Sequence, residues 1–150
     1  MKIVVHNNKA LFDYEIQYHL EAGIVLKGDE VKSLRAGQVS LNGAFAVLKG
    51  TELFLLNCNV STYSHAYEKK DDQTHRSRKL LVHKKQINKL IGDVSQKGMT
   101  IIPLKIYFNE RGLAKVDLGI GRHRKSTDKK QLLKERDIKR ETQKELKKYR

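Results

Sequence analysis

Tyr14-Glu15-Ile16-Gln17-Tyr18-His19-Leu20-Glu21-Ala22-Gly23-Ile24-Val25-Leu26 is the stretch on which the fold turns. Its even positions, Tyr14, Ile16, Tyr18, Leu20, Ala22, Ile24 and Leu26, are all apolar, while Glu15, Gln17, His19 and Glu21 fill the gaps. Successive side chains of an extended chain point to opposite faces, so this period of two predicts a long half-buried strand. A strand of this length must bend to wrap a small barrel, and Gly23 is the position where the sequence predicts a bulge. Tyr14 and Tyr18 fall on the apolar side and read as packing residues.

Downstream, Gly28-Asp29 opens a short helix, with Asp29 as its candidate cap, Val31 and Leu34 on its inner face and Gly37 at its end. Phe45, Val47 and Leu53 to Val60, separated by Lys49-Gly50-Thr51-Glu52, read as a hairpin. Ser61 to Ser77 is polar and aperiodic, a long mobile loop of the kind that often binds a ligand. Leu80, Leu81, His83, Ile87, Leu90 and Ile91 fit a helix ending near Gly98. Met99 to Phe108 and Leu113 to Ile120 flank the turn Asn109-Glu110-Arg111-Gly112, and Pro103, which lacks a donor, predicts an edge position there. The sum is a mainly β fold of about five or six antiparallel strands with two helices, compatible with a small closed or partly open barrel.

At 150 residues the chain fits one domain. Residues 121–150 stand apart: they hold 13 Lys/Arg against 5 Asp/Glu, which is +8 of the chain's net +14. Their apolar residues are only Leu132, Leu133, Ile138, Leu146 and Tyr149, too few to offset the entropy of ordering a chain unaided. Asp128 and Gln131 form a capping-box-like pair, and Glu135 with Lys139 attract, but Arg136 with Arg140 and Lys144 with Lys148 repel. An isolated helix of about twenty residues is marginal even with better pairing. The expectation is coil in solution and helix on a polyanion.

Nucleic acid outranks an anionic membrane as that polyanion, because no amphipathic segment has Trp or a strong apolar face. Cys58 is the only cysteine, which excludes an internal disulfide and suggests a reducing compartment. No run of 18 apolar residues occurs and MKIVVHNNKA lacks the apolar stretch of a secretory signal, so a cytoplasmic location is expected.

The six histidines never fall at ligand spacing, so neither a metal nor a cofactor is expected. Asp29-Glu30 and Asp71-Asp72 read as solvated charge rather than acid–base pairs. The nucleotide loop and nucleophile-elbow patterns are missing, and no catalytic residue or small-molecule substrate is expected. The basic residues say more: Lys27, Lys32 and Arg35 near the first helix, Arg76, Arg78 and Lys79 before the second, and Lys115 on the last strand share a face if the barrel closes. Tyr63 and Tyr67 in the loop are candidates to stack on bases. Composition fits an RNA-binding factor, a structural ribosomal protein or an RNA-processing enzyme; the last needs a carboxylate, metal or nucleophile cluster that the folded structure would have to show.

Asn8-Lys9-Ala10, Asp13-Tyr14, Glu21-Ala22-Gly23-Ile24, the run Gly28-Asp29-Glu30-Val31-Lys32-Ser33-Leu34-Arg35-Ala36-Gly37, Arg78-Lys79-Leu80-Leu81 and Asp128-Lys129-Lys130 occur in this order. Together, over nearly the whole chain, they closely resemble the SsrA-binding protein family, small protein B. The resemblance implies an oligonucleotide-binding-type antiparallel β-barrel over 1–120 with two or three helices, and a basic tail over 121–150, disordered when free and helical on the ribosome. It also implies the partners: the tRNA-like domain of transfer-messenger RNA, and the decoding site and message channel of ribosomes stalled in translation.

Carried over by resemblance, the RNA-contact positions are Glu21, Leu81 and Lys115, with Lys32, Arg35, Arg78 and Lys79 as weaker companions. Arg122, Arg124, Lys125, Asp128, Lys129, Lys130, Lys134 and Arg136 are the tail residues for the ribosome. The family's tail signature often reads Gly-Lys-Lys, two residues, then Asp-Lys-Arg; here His123 replaces the glycine, Thr127 precedes the Asp and Lys130 replaces the final Arg. A lysine cannot form the bidentate fork of an arginine.

Overall fold

The computed structural model describes residues 1–61 and 75–148; Tyr63, Tyr67, Asp71 and Asp72 lie outside the described residues, as do the side chains of Ser126 and Asp128. Along the chain run β1 (Lys2–His6), α1 (Asn8–Asp13), β2 (Tyr14–Ile24), α2 (Gly28–Arg35), β3 (Val39–Ser40), β4 (Phe45–Lys49), β5 (Glu52–Leu56), β6 (Asn59–Val60), β7 (Arg78–Leu81), α3 (Lys84–Ser95), β8 (Thr100–Phe108), β9 (Ala114–His123) and α4 (Ser126–Lys148). The main sheet is ordered β1-β8-β4-β5-β7-β2-β9, and a further pairing of β8 with β9 closes six of its strands into a ring. All pairings are antiparallel, and the short pair β3–β6 stands outside the ring. This is the expected mainly β, barrel-like fold.

The long alternating stretch is one strand, but it serves two cores. Its bulge sits at Gln17, between Ile16 and Tyr18, and not at Gly23, which keeps regular partners on both sides. Leu20 and Ala22, with Tyr18, Ile24 and Leu26, pack into the main core inside the ring. Tyr14 and Ile16 instead join Ala10, Ile102 and Leu104 in a second cluster beneath α1. An extra residue in one strand flips its remaining side chains, so apolar residues that alternate without a break in sequence divide between the two clusters. β8 repeats the device: its register shifts between Pro103 and Lys105, with Ile102 and Leu104 in the second cluster and Ile106 and Phe108 in the first.

Pro103 is fully buried, yet it pairs with β9 alone: the β1 ladder stops at Lys105 and β4 pairs only at Ile101, so its missing donor falls on a locally unpaired side of the strand, close to the expected edge position. The carbonyl of Pro103 accepts from Asn7 Nδ2 at 2.9 Å, while Asn7 Oδ1 caps α1 by accepting from the Ala10 N–H at 3.3 Å. Neither β1 nor α1 was marked by the sequence pattern; six helical residues are too few for a period to be read.

Two helix boundaries also differ from expectation. Lys27, not Asp29, is the N-cap residue of α2, and its N–H donates to Glu30 Oε1 at 2.8 Å. Leu80 and Leu81 belong to β7, so α3 starts only at Lys84, behind extended His83. They suit a helical spacing with Ile87 and Leu90, but β5 and β2 claim their backbone. At the far end β9 runs past Ile120 to His123, which places Gly121, Arg122 and His123 in the sheet.

Candidate nucleic-acid interface

Four residues form one row across neighbouring strands: Tyr107 on β8 pairs with Lys115 on β9, Lys115 with Gly23 on β2, and Gly23 with Leu81 on β7. Gly23 makes the row a depression. A methyl group there would lie 3.4 Å from Leu81 Cβ and 3.8 Å from both Leu81 Cδ1 and Lys115 Nζ, so those two side chains lean over the glycine from either side. Glu21, one step along β2, pairs with Asp117 in the adjacent row. The resulting cleft, about 430 Å³, is lined by Glu21, Gly23, Leu81, Val82, His83, Gln86 and Lys115.

Leu81 is the informative residue. Its neighbour Leu80 is 2% exposed and belongs to the core, whereas Leu81 is 53% exposed on the opposite face. An apolar side chain held in the open beside a cation and a carboxylate offers a plate for an unstacked base. Glu21 is anchored by the Tyr107 hydroxyl, which donates to Oε2 at 2.6 Å. Burial first, and this bond to Glu21 next, push the Tyr107 phenol well above its ordinary range, so it stays a donor at neutral pH. On the next rung Asp117 is met by His19 Nδ1 at 3.2 Å.

Three of the expected RNA-contact residues, Glu21, Leu81 and Lys115, thus meet in one cleft. The companions do not join them. Lys32 and Arg35 are exposed on α2, where the Arg35 guanidinium lies 5.9 Å from the Phe108 ring centre, and exposed Lys79 reaches Glu52 at 3.6 Å.

Arg78 is a correction: it is fully buried and turned inward. It donates to Glu30 Oε2 through Nε at 2.7 Å and to the Cys58 carbonyl through Nη1 at 2.7 Å. Glu30 is corrected with it, from solvated charge to a buried carboxylate that also binds Arg76. Burial opposes charge on Glu30, but the hydrogen bonds of Arg76, the Lys27 backbone and Arg78 prevail and hold its carboxyl below the usual value. Burial pushes the Cys58 thiol up to about 11, which suits a packing residue.

Tyr14 and Tyr18 are packing residues, as expected. The Tyr14 ring meets the His123 ring edge-on at 5.0 Å, while Tyr18 donates to Asp93 and carries Lys89 Nζ 4.1 Å from its ring centre, which ties α3 to β2.

The tail residues divide. Arg122 Nη2 donates to the Lys97 carbonyl at 3.3 Å, the Arg124 N–H donates to the Asp13 carbonyl at 2.8 Å, and Lys129 Nζ lies 3.0 Å from Asp13 Oδ1. Lys129 and Arg136 lie 6.0 and 5.9 Å from the Phe12 ring centre. Lys125, Lys130 and Lys134 are exposed.

Sequence reading missed Gly23, Val82, His83, Gln86 and Tyr107 as parts of the site. Only Gly23 carried a usable signal, since a glycine inside a strand marks either a bulge or a close approach, and here it marks the approach. Among the described residues no group of three or more His, Cys, Asp or Glu is placed to hold a metal ion, and no helix is long and apolar enough to cross a membrane.

A ring of antiparallel strands with net positive charge, a cleft that combines acceptor, cation and exposed leucine, and a cationic helix beyond it define a nucleic-acid-binding barrel. The chain belongs to the SmpB protein family, whose model matches residues 4–148. It is 50% identical over 140 residues to the SsrA-binding protein of Methylobacterium nodulans, covering 93% of this chain and 88% of that one. The SsrA-binding protein of Coprothermobacter proteolyticus is 46% identical over 145 residues, covering 97% of each chain. A chain of the solved structure "tmRNA-SmpB: a journey to the center of the bacterial ribosome" superposes with a TM-score of 0.66 at 51% identity, covering 81% of this chain and 85% of that chain.

Proposed function

We propose that this protein is a translation-rescue factor: it binds the tRNA-like domain of transfer-messenger RNA and delivers that RNA to stalled ribosomes, where the unfinished chain is tagged and the ribosome released. The observation that carries the reading is the convergence of Glu21, Leu81 and Lys115 on one cleft from three strands. Glu21 accepts from a base or ribose donor, Leu81 packs on an exposed base and Lys115 meets phosphate. Lys32, Arg35 and Lys79 add long-range attraction. The protein performs no catalysis itself and works in the cytoplasm.

The barrel and the tail divide the work. The barrel holds the RNA, and the tail, with Arg122, Arg124, Lys125, Asp128, Lys129, Lys130, Lys134 and Arg136, enters the decoding site and message channel. An intact message fills that channel with its own phosphates, so a cationic tail enters only where the strand is missing. Free of the ribosome the tail helix is marginal, and the ribosomal polyanion completes its ordering.

The test is a pull-down of the tagged full chain from cells, followed by sequencing of the bound RNA. Transfer-messenger RNA is expected as the dominant enriched species, and its absence from that place overturns the reading. A structural ribosomal protein would stay on the subunits through a high-salt wash, whereas a rescue factor is released.

A further inference from the structure

We propose that Tyr107 is a positioning residue of the cleft: its hydroxyl fixes the Glu21 carboxylate through Oε2 and leaves Oε1 as the acceptor for a hydrogen-bond donor on an unstacked nucleotide. The inference rests on the proposed RNA-binding role of the cleft and names the chemistry that one of its walls selects.

Glu21 is exposed and stands on a strand whose other outward side chains are solvated, so without a tether its carboxylate samples several rotamers. The tether comes from the same cross-strand row that carries the cleft, since Tyr107 is the direct partner of Lys115. Tyr107 is 7% exposed, and Ile3 on β1 is its partner on the other side, so its hydroxyl is presented by a well-packed group. The bond is 2.6 Å, within the range of charge-assisted O–H···O⁻ contacts. No other hydrogen bond to Glu21 occurs among the described residues, which leaves the second oxygen for a ligand.

Two further groups shape what that oxygen meets. Asp117, opposite Glu21 in the ladder, is engaged by His19, and Lys105 pairs with Asp117 on its other side while its ammonium lies 5.8 Å from the Tyr107 ring centre. Asp117 is not among the residues that line the cleft, and Glu21 is the carboxylate that opens into it. A carboxylate oxygen excludes phosphate and base acceptors and takes N–H or O–H groups. The ligand at this wall is a base edge with donor hydrogens or a ribose 2′-hydroxyl, with Lys115 across the cleft left for the phosphate.

The experiment is a double-mutant cycle on the full chain, Y107F and E21Q, read as affinity for a transcript of the tRNA-like domain by fluorescence anisotropy at fixed salt. Y107F removes one oxygen and keeps the ring. Each single variant is expected to weaken binding about tenfold, or ~1.4 kcal/mol, and the double variant no more than E21Q alone, with thermal midpoints within a few degrees of the parent. Additive losses, or full affinity in Y107F, overturn the proposal. E21D keeps the charge on an exposed site and shortens the reach to Tyr107; it should lose as much as E21Q, and parental affinity overturns the proposal even if Y107F fails to fold. A transcript with 2′-fluoro in place of 2′-hydroxyl separates the sources: loss of the E21Q effect assigns the ribose, and its persistence assigns the base. Failure of the parent chain to bind the transcript defeats the RNA-binding reading instead, which keeps the two failures distinct.

Discussion

Glu30 Oε2 receives two bonds from one guanidinium, Arg78 Nε at 2.7 Å and Arg78 Nη2 at 2.6 Å, across 48 residues of chain. The pair joins the first turn of α2 to the start of β7, and the third nitrogen of Arg78 extends the link to the Cys58 carbonyl. A residue expected at the RNA surface thereby becomes part of the frame behind it.

Among the described residues, replacing Arg78 by Met leaves Glu30 with only Arg76 as an ionic partner and the Cys58 carbonyl without its Arg78 donor. Breaking a buried pair from one side typically costs about 3–5 kcal/mol. R78M should therefore lower the urea midpoint sharply at an unchanged slope, and RNA affinity measured where the variant is still folded should stay within a few fold of the parent. A variant with parental stability and lost binding would return Arg78 to the RNA surface.

The same carboxylate gives a sign to the acid dependence. Its folded-state value lies below the ordinary 4.5, so the native state binds its proton less readily than the unfolded state does. The associated stability is fully present above pH about 4.5 and is lost as pH falls through the depressed value. Unfolding free energies of the parent and of E30Q, measured from pH 7 down to 3, should differ most at neutral pH and converge in acid. A constant gap would mean that Glu30 does not titrate differently on folding.

Gly121 has no room for a side chain. A Cβ there would lie 1.9 Å from the Glu15 carbonyl oxygen, which is backbone and cannot turn away, so G121A must part β2 from β9 at the bulge. The cost should be about 3 kcal/mol or more, at or beyond the upper end of overpacking. At Gly119 the nearest atoms are the methyl ends of Leu104 and Ile16, at 2.7 and 2.9 Å, which can shift. G119A should cost less, about 1–3 kcal/mol; thermal melts of the two variants, ranked in the other order, would contradict this reading of the bulge.

These cases show what the sequence could carry. Period two from Tyr14 to Leu26 announced a strand, because alternation is a local property. It could not announce that Gln17 divides the apolar residues between two cores, since a bulge leaves the alternation in sequence untouched. Leu80 and Leu81 carry a helical signal for a related reason: an apolar pair three and four residues ahead of a helix fits that helix until distant strands claim it. Arg78 looked like one of several basic residues because its partner Glu30 is far away in sequence. The three cleft residues were legible from the family resemblance, but Tyr107, which anchors one of them, has no local signature and only the closed ring places it beside Glu21.

The tail meets the barrel at α1, and the contact can be dissected. Asp13 holds Lys129 at 3.0 Å, both side chains are mostly screened from water, and Lys129 and Arg136 reach the Phe12 ring near the 6 Å limit for cation–π attraction. At about 0.5–1 kcal/mol for each cation–π contact and up to about 1 for the ion pair, the latch is comparable to the deficit of a marginal helix. The double variant F12A/D13A should therefore lower helical circular dichroism of the full chain. A truncation after Arg124 keeps β9 and the backbone bond to Asp13, and should show the same melting of the barrel, cleft affinity within a few fold of the parent, and no tagging on stalled ribosomes. Unchanged helicity in F12A/D13A would mean that the tail helix stands without α1, and a large loss of free-RNA affinity on truncation would make the tail a phosphate anchor rather than a sensor of the empty channel.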